Sequence, residues 1–97
     1  MSKSKGEYRI VLASSRIKKD WLALEQELPE KMNECKDFLR KTPADRNRAA
    51  GRLKKLKPPL QGILQYDVTK DDVRVWYRID KNEYNVVIKY AGHHPNW

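Results

Sequence analysis

The stretch Val73-Arg74-Val75-Trp76-Tyr77-Arg78-Ile79 alternates apolar and polar residues with a period of two, the repeat of a half-buried β-strand. With Val73, Val75, Tyr77 and Ile79 facing a core, Arg74, Trp76 and Arg78 must face away from it. One strand therefore displays two cations and an indole together. The preceding run, Leu64-Gln65-Tyr66-Asp67-Val68, has the same period: Tyr66 and Val68 turn inward, Gln65 and Asp67 outward, beside the arginines. Residues 69–72 and 80–83 are short polar connectors, and residues 84–91 are rich in Val, Ile and Tyr. The last third of the chain thus reads as an antiparallel meander.

Upstream the period changes. Residues 1–6 are small and polar and read as a flexible arm, after which Tyr8, Ile10 and Leu12 alternate as a first strand. Ser14 and Ser15 offer an N-cap to a helix whose stripe is Ile17, Trp21, Leu24 and Leu28, with Lys18, Lys19 and Glu25 on the surface. Pro29 cannot lie inside that helix but suits the first turn of a second, striped by Met32, Cys35, Phe38 and Leu39. This helix ends near Pro43, which disfavours helical geometry at Thr42. Residues 44–56 read as a shorter helix or an irregular stretch. The order β-α-α-β-β-β predicts an α+β domain, a small antiparallel sheet with an N-terminal helical hairpin packed on one face.

The 97 residues, 35% charged and 39% hydrophobic, suit a single domain over 1–97 and exclude a large multi-domain enzyme. Lys and Arg total 21 against 13 Asp and Glu, a net charge of +8, so the expected partner is anionic, nucleic acid ahead of acidic protein. Cys35 is the one cysteine, which leaves no internal disulfide and no zinc-ligand spacing, and no metal or cofactor is expected. No signal or membrane-spanning segment is visible, so the expected location is a reducing cytoplasm.

Three features carry chemistry. The outer strand face offers Arg74, Arg78 and Trp76 beside Gln65 and Asp67; as an ordinary solvated face it would hold only an Asp67–Arg74 pair worth a few tenths of a kcal/mol. A basic run that includes Arg52, Lys54 and Lys55 could neutralise phosphates, although charge runs are usually plain solvated surface. Finally, both histidines, His93 and His94, follow Gly92 near Trp97. Histidine serves as general acid or base near neutrality, arginine stabilises charge on a phosphoryl transition state, and tryptophan stacks on a base. RNA cleavage through the ribose 2′-hydroxyl needs those three functions.

Taken together, these elements resemble the RelE/ParE superfamily of bacterial type II toxins over nearly the whole chain. The resemblance is carried by the element order and by Leu53-Lys54-Lys55-Leu56 leading through Pro58-Pro59-Leu60-Gln61-Gly62 into the strand at Leu64. Its most specific part is Arg74 followed three residues later by Tyr77, with Gly92-His93-His94 after the final strand. The resemblance implies a RelE-like microbial-ribonuclease-type fold and a toxin neutralised by a cognate antitoxin. RelE-like members cut mRNA in the ribosomal A site, whereas ParE-like members poison DNA gyrase by binding. By position, Arg74 matches the arginine that contacts the scissile phosphate, His94 matches a histidine acting as general acid or base, and Trp97 lies near a terminal aromatic. The nuclease branch is favoured, a metal-independent endoribonuclease whose partners are antitoxin, mRNA and ribosome, with operator DNA met only through the antitoxin complex and no membrane. The alternatives are a gyrase inhibitor and a member without catalysis. RelE itself has two lysines where this chain has Gln65 and Asp67, so Asp67, a residue from the basic run, or His93 together with His94 would have to assist catalysis.

Overall fold

The computed structural model describes residues 7–56, 60 and 62–93. Strand β1 (Arg9–Leu12) leads into helices α1 (Ser15–Glu27), α2 (Pro29–Lys41) and the short α3 (Arg46–Ala49). Strands β2 (Leu53–Lys55), β3 (Leu64–Asp67), β4 (Arg74–Asp80) and β5 (Asn85–Gly92) follow. Among the described residues no helix is long and apolar enough to cross a membrane.

Local chemistry explains the helices. Ser14 is extended, and its hydroxyl accepts the Ile17 N–H at 3.2 Å, which caps α1. Leu28 separates α1 from α2, and Pro29 starts α2 where its missing N–H costs nothing. Trp21 and Leu24 of α1 and Met32, Cys35, Phe38 and Leu39 of α2 are buried as their spacing predicts. Burial pushes the Cys35 thiol pKa up, so it stays protonated.

The sheet differs from the expected antiparallel four. It has five strands in the order β1-β5-β4-β3-β2, and β1 runs parallel to β5. The two helices carry the chain across one face, so β1 comes to lie beside the last strand rather than beside the next one, and a mixed sheet results. Residues 44–56 resolve into two pieces. Asp45 caps α3 by accepting the Arg48 N–H at 3.0 Å, and Ala50 leaves the helix in the left-handed conformation at φ 55°. The chain then pairs as β2 against β3, Leu53 opposite Tyr66.

The β4 alternation holds. Val75 and Tyr77 are fully buried, while Arg74 and Trp76 are half-buried on the opposite face and Arg78 is exposed. A β-bulge sits between Trp76 and Tyr77: Trp76 opposes Tyr90 but Tyr77 opposes Ile88, leaving Lys89 without a register partner. The extra residue inverts the facing of β5 beyond it, so Ile88 is buried in the core while Tyr90 joins Trp76 on the outer face.

Tyr77 also reaches into the helical layer, donating its hydroxyl to the Pro43 carbonyl at 2.5 Å. Phe38 stacks on Tyr66 with ring centroids 4.9 Å apart. Replacing Tyr77 by Phe leaves the packing but strands a buried carbonyl, and should destabilise the fold by about 1–2 kcal/mol. Urea denaturation of Tyr77→Phe measures this; a midpoint equal to wild type would refute it.

Candidate functional site

Strand register assembles the outer face. Lys54, Gln65, Trp76 and Tyr90 align in one row across β2, β3, β4 and β5, and Asp67 opposes Arg74 in the next. A relay of polar contacts runs along them. The Trp76 indole N–H donates to Gln65 Oε1 at 2.9 Å, and Gln65 Nε2 donates to Asp67 Oδ1 at 2.8 Å. Asp67 Oδ2 receives Lys54 Nζ at 3.2 Å. The Trp76 ring tilts against Tyr90 with centroids 5.3 Å apart.

Two expectations change here. Gln65 and Asp67 do lie on the outer side of β3, yet each is only 6% exposed, because Trp76 and Lys54 engage their polar atoms. Asp67 pairs with Lys54 rather than with Arg74, its neighbour in the register. The Arg74 Nε is buried and has no hydrogen-bond partner among the described residues. Arg78, two residues beyond Trp76 on β4, is exposed on the same side.

Arg52, Lys54 and Lys55 of the basic run lie in three different places. Lys54 belongs to the outer face. Arg52 lies round the β2 edge, donating Nη1 to the Tyr66 hydroxyl at 3.1 Å and to Glu34 Oε1 at 3.3 Å. Lys55 is in register with Leu64 and Tyr77, hence on the core side of the sheet. There it lines an apolar groove of about 350 Å³ with Leu56, Ile63, Leu64 and Ile79, away from the arginines.

Beyond β5, the Tyr90 hydroxyl donates to the His93 carbonyl. The His93 ring is held at both nitrogens, Nδ1 at 2.7 Å from Asp72 Oδ2 and Nε2 at 3.4 Å from Glu27 Oε1. His94 and Trp97 lie outside the described residues. Among the described residues no group of three or more His, Cys, Asp or Glu could hold a metal ion. The face therefore offers an aromatic platform anchored from below, flanked by cations, an arrangement able to stack a base and hold the adjoining phosphates. Sequence reading missed Tyr90, because strict alternation assigns it to the core with Val86 and Ile88.

Solved structures share this architecture. The chain is similar to a chain of the YoeB–YefM complex from Staphylococcus aureus, at 24% identity and TM-score 0.63, over 91% of this chain and 98% of that one. It is similar to the YoeB/ParE toxin from Agrobacterium tumefaciens, at 18% identity and TM-score 0.66, over 90% and 99%. A chain of the toxin–antitoxin complex RelBE2 from Mycobacterium tuberculosis matches at 20% identity and TM-score 0.53, over 91% and 99%. The fold is thus the α+β fold of the RelE/ParE toxins. No protein-family model matches the chain, and no curated protein does.

The His93 clamp has a pH signature. The hydrogen bond to Asp72, with the charges of Asp72 and Glu27, raises the His93 pKa above its ordinary 6.5. A pKa higher in the folded than in the unfolded chain means a contribution to stability that is complete below about pH 6.5 and lost as pH rises through the folded value. An NMR titration should place the His93 midpoint above 6.5, and Asp72→Asn should lower it. An unchanged midpoint in that variant would contradict the clamp.

Proposed function

We propose that the chain is the toxin of a bacterial toxin–antitoxin pair, a cytoplasmic endoribonuclease that cuts mRNA on the translating ribosome. The observation that carries this reading is the buried Arg74 Nε, without a hydrogen-bond partner among the described residues, beside the anchored Trp76, in a fold shared with YoeB–YefM and RelBE2 structures.

In the reaction a base removes the proton of a ribose 2′-hydroxyl, and that oxygen attacks the adjacent phosphorus in line. The bond to the 5′-oxygen breaks as an acid protonates it, leaving a 2′,3′-cyclic phosphate and a 5′-hydroxyl end, with no metal required. Arg74 binds the scissile phosphate, and with Arg78 it stabilises the charge that builds on the phosphoryl oxygens. Trp76 and Tyr90 support a base. Gln65 and Asp67 act as positioning residues: Gln65 sets the indole, while Asp67, both oxygens engaged, holds Gln65 and Lys54. His94, matched by position, is the general acid or base. His93, committed to two carboxylates, fixes the chain immediately before it.

The neutralising partner is an antitoxin. An acidic, partly disordered segment suits a chain of net charge +8, gaining encounter rate from charge and ordering on contact.

Primer extension on mRNA in a translating extract tests the reading. Wild type should give discrete translation-dependent cuts, Arg74→Ala none, and His94→Ala a rate lower by about 10²–10⁴-fold. Undiminished cutting by Arg74→Ala would sink the assignment. Absence of cuts combined with lost DNA supercoiling in cells would move the protein to gyrase inhibition.

A further inference from the structure

Beside the outer face, around the β2 edge, lies a recess of about 560 Å³ between α2, the turn from α3 into β2, and the β3–β4 connector. Four cations from these separate elements line it: Lys31, Arg52, Lys54 and Lys70, with Asp67 and Asp71. Their commitments differ. Lys54 is paired with Asp67, and Arg52 with Glu34 and the Tyr66 hydroxyl. Lys31 and Lys70 are exposed and make no ion pair among the described residues. Two lysines from separate elements, α2 and the β3–β4 connector, thus line one recess together with Asp71.

The recess is continuous with the outer face, since Lys54 and Asp67 belong to both. A strand passing from Arg74 on β4 over Asp67 on β3 to Lys54 on β2 has reached the last strand on that side, and the recess is the next surface it meets.

We propose that this recess is a phosphate site for single-stranded RNA, holding a backbone phosphate of a nucleotide that flanks the one seated on Trp76. The proposal rests on the ribonuclease reading of the outer face and extends its substrate track beyond the reacting nucleotide. Chemistry favours a phosphate backbone over an acidic protein segment. A bound peptide draws much of its affinity from apolar anchors seated against large apolar side chains, and the recess exposes no such side chain: Val68 is 1% exposed, Ala50 carries only a methyl, and the other carbon surface comes from Gly51 and the stems of charged residues. Phosphates need only cations placed to displace condensed counterions.

The test measures binding of a short 2′-O-methylated single-stranded RNA, which cannot be cut, by fluorescence anisotropy across a salt series. Lys31→Gln/Lys70→Gln should bind more weakly, its log Kd against log salt flattened by about 0.7 for each phosphate that is no longer neutralised. The control Lys19→Gln/Lys81→Gln removes the same charge outside the recess and should keep the wild-type slope. Circular dichroism verifies that both variants are folded. A recess variant with unchanged slope, while Arg74→Ala and Trp76→Ala weaken binding, overturns the recess but leaves the outer face standing. No RNA binding by wild type overturns both. Unchanged RNA binding with loss of a polyglutamate peptide would assign the recess to an acidic protein and overturn the proposal.

Discussion

The facing of β4 is the constraint on which both the core and the candidate site depend. Val75 and Tyr77 are fully buried against the helical layer, and strand geometry then obliges Arg74, Trp76 and Arg78 to share the other side. A slip of one residue would drive two guanidinium groups into a core of Val86, Ile88 and Met32, where an unpaired charge costs several kcal/mol. The Tyr77 hydroxyl adds a directional restraint, because it must meet the Pro43 carbonyl beyond the end of α2. The packing that stabilises the domain therefore also aims the side chains that would meet a ligand.

The outer face is organised a second time by its own hydrogen bonds. Burying Gln65 and Asp67 would be unfavourable if their polar atoms lacked partners. Here the indole N–H, the amide and the ammonium satisfy them in sequence from Trp76 to Lys54. Such a relay fixes the plane of Trp76 before anything binds, which lowers the ordering cost of association. Tyr90 joins the platform only because the bulge inverts β5 locally. An insertion of one residue in a strand, often a disturbance, here completes the aromatic surface.

Periodicity made the two long helices, the β4 alternation and the facing of Gln65 and Asp67 legible from sequence, since each follows from which side chains must avoid water. What stayed hidden depends on partners distant along the chain. Strand β2 is three residues long with two lysines, so no alternation reveals it; it exists because β3 offers a free edge. The direction of β1 depends on where the helices deliver the chain. The bulge leaves no mark in composition, which is why Tyr90 stays hidden among the core residues of β5. The His93 clamp joins residues from α1, the β3–β4 connector and the end of β5, a convergence no local pattern encodes. In the recess, Lys31 reads as one more solvated lysine of an amphipathic helix until the fold brings it to the same recess as Lys70.

The charge balance on the outer face bears on how a nuclease of this fold would work without lysines on β3. The carboxylate of Asp67 would weaken the field that Arg74 presents to a phosphate, but Lys54 reaches it from the neighbouring strand and neutralises it. The pair sums to zero, which leaves Arg74 and Arg78 as the cations of β4, with Asp80 at the far end of the strand. Arginine remains protonated at any physiological pH and cannot exchange the proton of a 2′-hydroxyl or of a leaving oxygen. It can bind and stabilise, while proton transfer needs a group that titrates near neutrality. Of the two histidines, His93 has both ring nitrogens engaged by carboxylates, which favours its protonated form and ties up the atoms a shuttle would use. In the proposed reaction the acid–base role therefore falls to His94, and the division of labour becomes arginines for charge, Trp76 and Tyr90 for the base, and the segment after β5 for the proton.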